Sequence, residues 1–230
     1  MKVNHDKKLI FIHIPKCAGG AIKYYFDMEA INKNHESAHM AQKNYDYWNE
    51  YTKFTVIRNP WEAELSFFFY RLSNQFIERL PLTEENKSKH IELVLGGLYS
   101  SLKSGVIAWD WWNEYQYQIN AVRQNPLINS TYKLSHDAVR LPFSMMRYIT
   151  SNHQGKNLLN EIIRYENLQG DLNTFCNKYD VEPTTNKLEK INETGHLHYS
   201  NYYTKSMIDY VYRKNKDYIE YFGYKFEKDE

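Results

Sequence analysis

The segment Leu9-Ile10-Phe11-Ile12-His13-Ile14, then Pro15-Lys16-Cys17-Ala18-Gly19-Gly20, then Ala21-Ile22-Lys23-Tyr24-Tyr25-Phe26, leaves this chain few ways to fold. Its short apolar run, rich in β-branched residues, reads as a buried strand. Residues 22, 25 and 26 then carry apolar side chains at helical spacing. Between the two lies a tight turn with one lysine and two glycines. A turn of that kind aims backbone N–H groups and the positive end of a helix at one point, which is what an anion requires. The sequence therefore predicts a phosphate-like group held at residues 15–21. The loop of nucleotide triphosphatases is a different object: its lysine follows the second glycine and precedes Ser or Thr, whereas Lys16 stands before both glycines.

Further along, Phe54-Thr55-Val56-Ile57 forms a second buried strand candidate that ends at Arg58-Asn59-Pro60. Asn59 suits an N-cap and Pro60 a first helical turn, so a helix starts there, with Leu65, Phe68, Phe69, Leu72 and Phe76 on its apolar face. Residues 27–50 are polar and predict a surface connection with short helical pieces. Residues 80–90 are loop-like, 91–122 are helical in parts, and 123–143 are irregular. A third strand is expected at Glu161–Tyr165, a short helix over Asp171–Tyr179, and a polar loop over 180–200. The last helix begins near Thr204, buries Ile208, Val211, Tyr212 and Ile219, and stops at Gly223, a C-cap residue. Strands alternating with helices predict an α/β fold with a central parallel sheet flanked by helices. Without a repeat or linker, residues 1–230 are expected to form one domain.

Charge narrows the partners. The net charge of +1 offers no bulk attraction to nucleic acid or to a membrane surface, so only local basic groups can hold an anion. Two cysteines, Cys17 and Cys176, give no disulfide framework and fit a reducing compartment. The polar start of the chain has no leader pattern and no apolar run approaches ~20 residues, so a soluble, cytoplasmic protein is expected.

Arg58 stands at the carboxyl end of a strand, just before a capped helix, at the edge where ligands bind in open α/β sheets. It offers a fork of donors to a second anionic group, and Ser66, about two turns into the helix, adds a hydroxyl. The alternative is an arginine paired with Glu62 and a solvated serine.

Together, FIHIPKCAGGAIK and FTVIRNPWEAELSFFFY resemble the two signatures of sulfotransferases that use 3′-phosphoadenosine 5′-phosphosulfate (PAPS). They are most similar to the carbohydrate family that includes the heparan 2-O and chondroitin/HNK-type enzymes. The first family signature is a strand and then Pro-Lys-Thr-Ala-Gly-Thr-Ser, for the 5′-phosphosulfate. The second is a strand and then Arg-Asn/Asp-Pro with a later serine, for the 3′-phosphate. Ile163-Arg164-Tyr165-Glu166-Asn167-Leu168 is similar to a third family strand, and His198-Tyr199 through Tyr224 to the closing helix. The match is weak over about 75–155, the stretch expected to select the acceptor.

The resemblance implies a P-loop-like three-layer fold and a sulfuryl transfer from PAPS to a hydroxyl of a carbohydrate or other small acceptor, without a metal. It assigns the phosphosulfate to Pro15, Lys16, Cys17, Ala18, Gly19, Gly20 and Ala21, and the 3′-phosphate to Arg58 and Ser66. Lys16 is then the cation for the leaving oxygen. Relatives carry a histidine between the two signatures. His39, 19 residues before Arg58, is the expected base, with His35 and Glu36 as alternatives.

The chain departs from the family at Cys17, Gly20 and Ala21, where three hydroxyl donors are missing, and at Ala63, where an arginine is common. A domain that binds PAPS or its desulfated product without efficient transfer is therefore the second reading. A third comes from His35-Glu36-Ser37-Ala38-His39, which satisfies the H-E-x-x-H zinc-peptidase pattern. Its flanks are polar almost throughout, whereas a metal-bearing helix needs an apolar face. Three other features admit two readings each. The pair His196/His198 is either a surface loop or a gate near the 3′-phosphate, and Trp109, Trp111 and Trp112 are either core or a sugar-stacking platform. Cys17 is either a packing residue or a reactive thiol.

Overall fold

The computed structural model describes residues 1–31, 35–73, 145–149, 156–185, 187–189 and 196–229. Trp109, Trp111, Trp112 and nearly all of the acceptor-selecting stretch lie outside the described residues.

The chain is an α/β protein built on a five-stranded sheet. Its strands are β1 (Lys2–Asn4), β2 (Leu9–Phe11), β3 (Glu29–Ala30), β4 (Thr52–Ile57) and β5 (Glu161–Arg164), in spatial order β3-β1-β2-β4-β5. The described α-helices are α1 (Gly19–Tyr25), α2 (Ala38–Asn44), α3 (Pro60–Ser73), α4 (Leu168–Tyr179), α5 (Lys205–Lys214) and α6 (Lys216–Phe222).

The expected parallel sheet is only part of the sheet observed. β2, β4 and β5 are parallel, but β1 lies antiparallel to both β2 and β3, so the sheet is mixed. The cause is local to residues 1–8. Val3 is buried between half-exposed Lys2 and Asn4, a period-two pattern. The Asn4 side chain then accepts from the Lys7 N–H at 2.8 Å, turning the chain back so that Asn4 pairs with Leu9. A polar approach to the first strand is thus itself a strand.

Phe54 on β4 centres the core. It pairs with Phe11 of β2 (ring centroids 5.2 Å), is met edge-on by Phe26 just after α1 (5.7 Å), and packs at a tilt on Phe175 of α4 (4.7 Å). Residues 54–57 are buried in succession, so both faces of β4 are covered there. The Thr55 hydroxyl satisfies itself by donating to the Ile12 carbonyl at 2.6 Å.

Two helix boundaries differ from expectation. α4 starts at Leu168, not Asp171, because the Asp171 carboxylate accepts from the Arg164 N–H and from Asn167 Nδ2 and so sits inside the first turn. The closing helix is two helices, broken at Asn215. That side chain is buried and accepts from the Met145 N–H at 3.3 Å, drawing the chain aside. The stop at Gly223 is as expected, with φ +69° in the left-handed region. Among the described residues no helix is long and apolar enough to cross a membrane.

Candidate functional site at the carboxyl edge of the sheet

Because β2 and β4 are parallel neighbours, the loops that leave them emerge side by side. The first loop is strained. Lys16 (φ +63°) and Ala18 (φ +55°) both occupy the left-handed region, which costs a residue with a Cβ about 1–2 kcal/mol. Its turn is closed by the Cys17 N–H donating to the Ile14 carbonyl at 3.2 Å.

Arg58 holds that loop from the second strand. Its Nη1 donates to the Lys16 carbonyl at 2.9 Å and its Nη2 to Glu62 at 2.8 Å, while the guanidinium lies 3.9 Å above the Tyr165 ring. Its backbone is clamped from α6. The Tyr218 hydroxyl accepts from the Arg58 N–H and donates to the Arg58 carbonyl, both at 3.1 Å. The next residue is equally fixed. The Asn59 N–H donates to Glu166 at 2.6 Å, its Nδ2 donates to the Lys225 carbonyl at 2.9 Å, and its Oδ1 caps α3 through the Trp61 N–H. Arg58 Nε is buried and has no partner among the described residues. A buried unpaired donor costs about 1–3 kcal/mol, and more on a charged group.

The electrostatics point the same way. Burial, followed by the nearby Arg58 charge, lowers the Lys16 ammonium to about 8. Lys16 and Arg58 are close enough for each charge to be felt by the other, and the Glu62 carboxylate is paired with Arg58. An anion at this edge would meet both cations and the unspent Nε.

Of the other predicted residues, Pro15, Cys17, Gly19 and Ala21 are buried in the loop and first turn of α1, with Ala18 and Gly20 half-buried. Cys17 is the packing residue, not the reactive thiol: it is fully buried, and burial pushes its thiol up to about 12. Ser66 is buried on α3, not solvated, while Arg58 does pair with Glu62. His39 is the second residue of α2 and is half-buried. His35 is nearer the loop: its Nδ1 lies 2.9 Å from the His13 carbonyl and its ring 4.4 Å from the His13 ring. Glu36 is engaged by Asn44 and by the Tyr45 hydroxyl.

The zinc-peptidase reading requires both histidines one turn apart on one helix. Here α2 begins at Ala38, with Ser37 as its N-cap, so His35 precedes the helix and the pattern has no structural basis. The His198 Nδ1 contacts the Ser200 N–H and hydroxyl, capping the 3₁₀ turn Tyr199–Tyr202. That turn reaches the site through Tyr199, whose hydroxyl accepts from Asn59 Nδ2 at 3.4 Å. A cavity of about 380 Å³ lined by Ser206, Asp209, Tyr212 and Arg213 includes none of the predicted residues.

Sequence reasoning missed two partners of the site. Tyr218 clamps Arg58 from 160 residues away, and no local pattern marks it. His13 lies against Gly19, and its position immediately before Ile14-Pro15-Lys16 was the available signal.

Compared with family models, with curated proteins and with solved structures, the chain matches none.

Proposed function

We propose that this chain is a sulfotransferase that moves a sulfuryl group from PAPS to a hydroxyl of a carbohydrate or other small acceptor, on a P-loop-like three-layer fold. The observation that carries the reading is the hydrogen bond from Arg58 Nη1 to the Lys16 carbonyl. It joins, at one sheet edge, the two segments on which the resemblance rests. A site with two neighbouring cations and an unspent buried donor suits a ligand with two separated anionic groups.

In this mechanism the 15–21 loop and Lys16 orient the phosphosulfate, and Arg58 and Ser66 hold the 3′-phosphate. The acceptor oxygen forms its bond to sulfur as the bond from sulfur to the phosphate oxygen breaks. Lys16 neutralises the charge that develops on that leaving oxygen. A histidine takes the acceptor proton. His39 is the first candidate, and His35 is favoured over Glu36, because the Glu36 carboxylate is already engaged by Asn44 and Tyr45.

Transfer of labelled sulfate from PAPS to cellular glycans and small hydroxyl compounds tests the proposal. Lys16→Ala is expected to abolish turnover, and near-wild-type turnover by that variant would overturn the role of Lys16. A second reading, a domain that binds PAPS or its product without transfer, is favoured by the buried Cys17 thiol and the bare Gly20 and Ala21. Nucleotide binding without transfer to any acceptor would select it.

A further inference from the structure

His13 follows β2 and turns its imidazole onto the first residue of α1. A Cβ built on Gly19 would fall 1.8 Å from His13 Nε2, so the tip of the ring occupies the space a side chain would take. The other ring nitrogen is accounted for. Lys2 Nζ lies 3.4 Å from Nδ1, and an ammonium has only protons to give, so Nδ1 accepts and the ring proton resides on Nε2. Phe11 stacks on the ring at 5.6 Å and His35 packs against it at a tilt at 4.4 Å, fixing the ring plane. Nε2 has no hydrogen-bond partner among the described residues, so this donor is unspent beside the loop.

We infer that His13 is an uncharged donor of the anion loop, presenting Nε2–H beside Gly19 to the group held by residues 15–21; this rests on the reading of that loop as the phosphosulfate site. The chemistry suits the place. Lys16 and Arg58 already crowd positive charge here, and a neutral donor adds a hydrogen bond without further repulsion. Burial, then the charges of His35, Lys2, the amino terminus and Lys16, hold the imidazole well below its ordinary value, so it stays neutral. The loop lacks hydroxyls at positions 17, 20 and 21, and His13 supplies a side-chain donor from the residues that lead into the turn.

Imidazole ¹⁵N–¹H correlation spectra of the wild-type protein, titrated with 3′-phosphoadenosine 5′-phosphate and separately with inorganic sulfate, test this directly. The expected result is an Nε2–H tautomer at pH 7 whose signal moves with the same saturation as binding. An Nδ1–H tautomer, or an Nε2 signal unmoved at saturation, would overturn the inference. In calorimetry, His13→Phe is expected to weaken nucleotide binding about tenfold or more. His13→Gln, whose amide nitrogen reaches a similar depth, is expected to restore most of it. Equal binding by wild type and His13→Phe would also overturn it, and if that variant does not fold the spectra decide. Absence of any wild-type binding contradicts both this inference and the phosphosulfate site, whereas wild-type binding with an unmoved His13 contradicts this inference alone.

Discussion

At the scale of single residues, Lys16 and Arg58 divide the work unequally. The sequence suggests two parallel ligand contacts, but Arg58 also gives one Nη1 and one Nη2 donor to the Lys16 carbonyl and to Glu62, while Nε has no partner among the described residues. Arg58 was legible as an edge arginine; its role as the strut under Lys16 depends on a crossing between strands that no local pattern encodes. Lys16 bears the consequence. Its ammonium is lowered from 10.5 to about 8 by burial and by Arg58. Below about pH 8 both folded and unfolded chains carry that charge and the fold bears the full penalty. Between 8 and 10.5 the folded chain sheds the proton first, so stability rises with pH in that window. An anion at the loop reverses the shift. Binding at pH 8 is therefore expected to take up protons, read as a buffer-dependent calorimetric heat in buffers of different ionisation enthalpy. A heat independent of buffer would contradict the placement of the anion beside Lys16.

At the scale of elements, the strand–loop–helix and the strand before Arg58 are legible because burial imposes continuous apolar runs on them. The β1 hairpin is not, since a three-residue strand with one buried side chain carries almost no pattern. Nor is the break at Asn215, whose buried side chain accepts from the Met145 N–H, 70 residues away. The same kind of long-range contact sets the site. Tyr218 reaches from α6 to close two hydrogen bonds on the Arg58 backbone. Tyr218→Phe keeps the ring in its pocket and strands both groups, with an expected loss of about 1–3 kcal/mol in denaturant unfolding. Nucleotide affinity is expected to fall with it, since Arg58 loses its clamp. Unchanged stability would show that α6 does not secure the edge.

At the scale of the whole molecule, a parallel core of three strands, extended by an antiparallel edge, brings two loops 42 residues apart into hydrogen-bond contact. The sequence supplies the loops and their order. Register and parallel pairing supply their meeting, and these depend on Phe54 finding Phe11, Phe26 and Phe175 together. The central claim is that this edge holds a nucleotide with two separated anionic groups. Titration calorimetry of 3′-phosphoadenosine 5′-phosphate into the wild-type chain tests it most directly. Saturable binding at one site per chain is expected, lost in Lys16→Ala and weakened at least tenfold in Arg58→Ala. Absence of binding to the wild type, or equal binding by all three proteins, would contradict it.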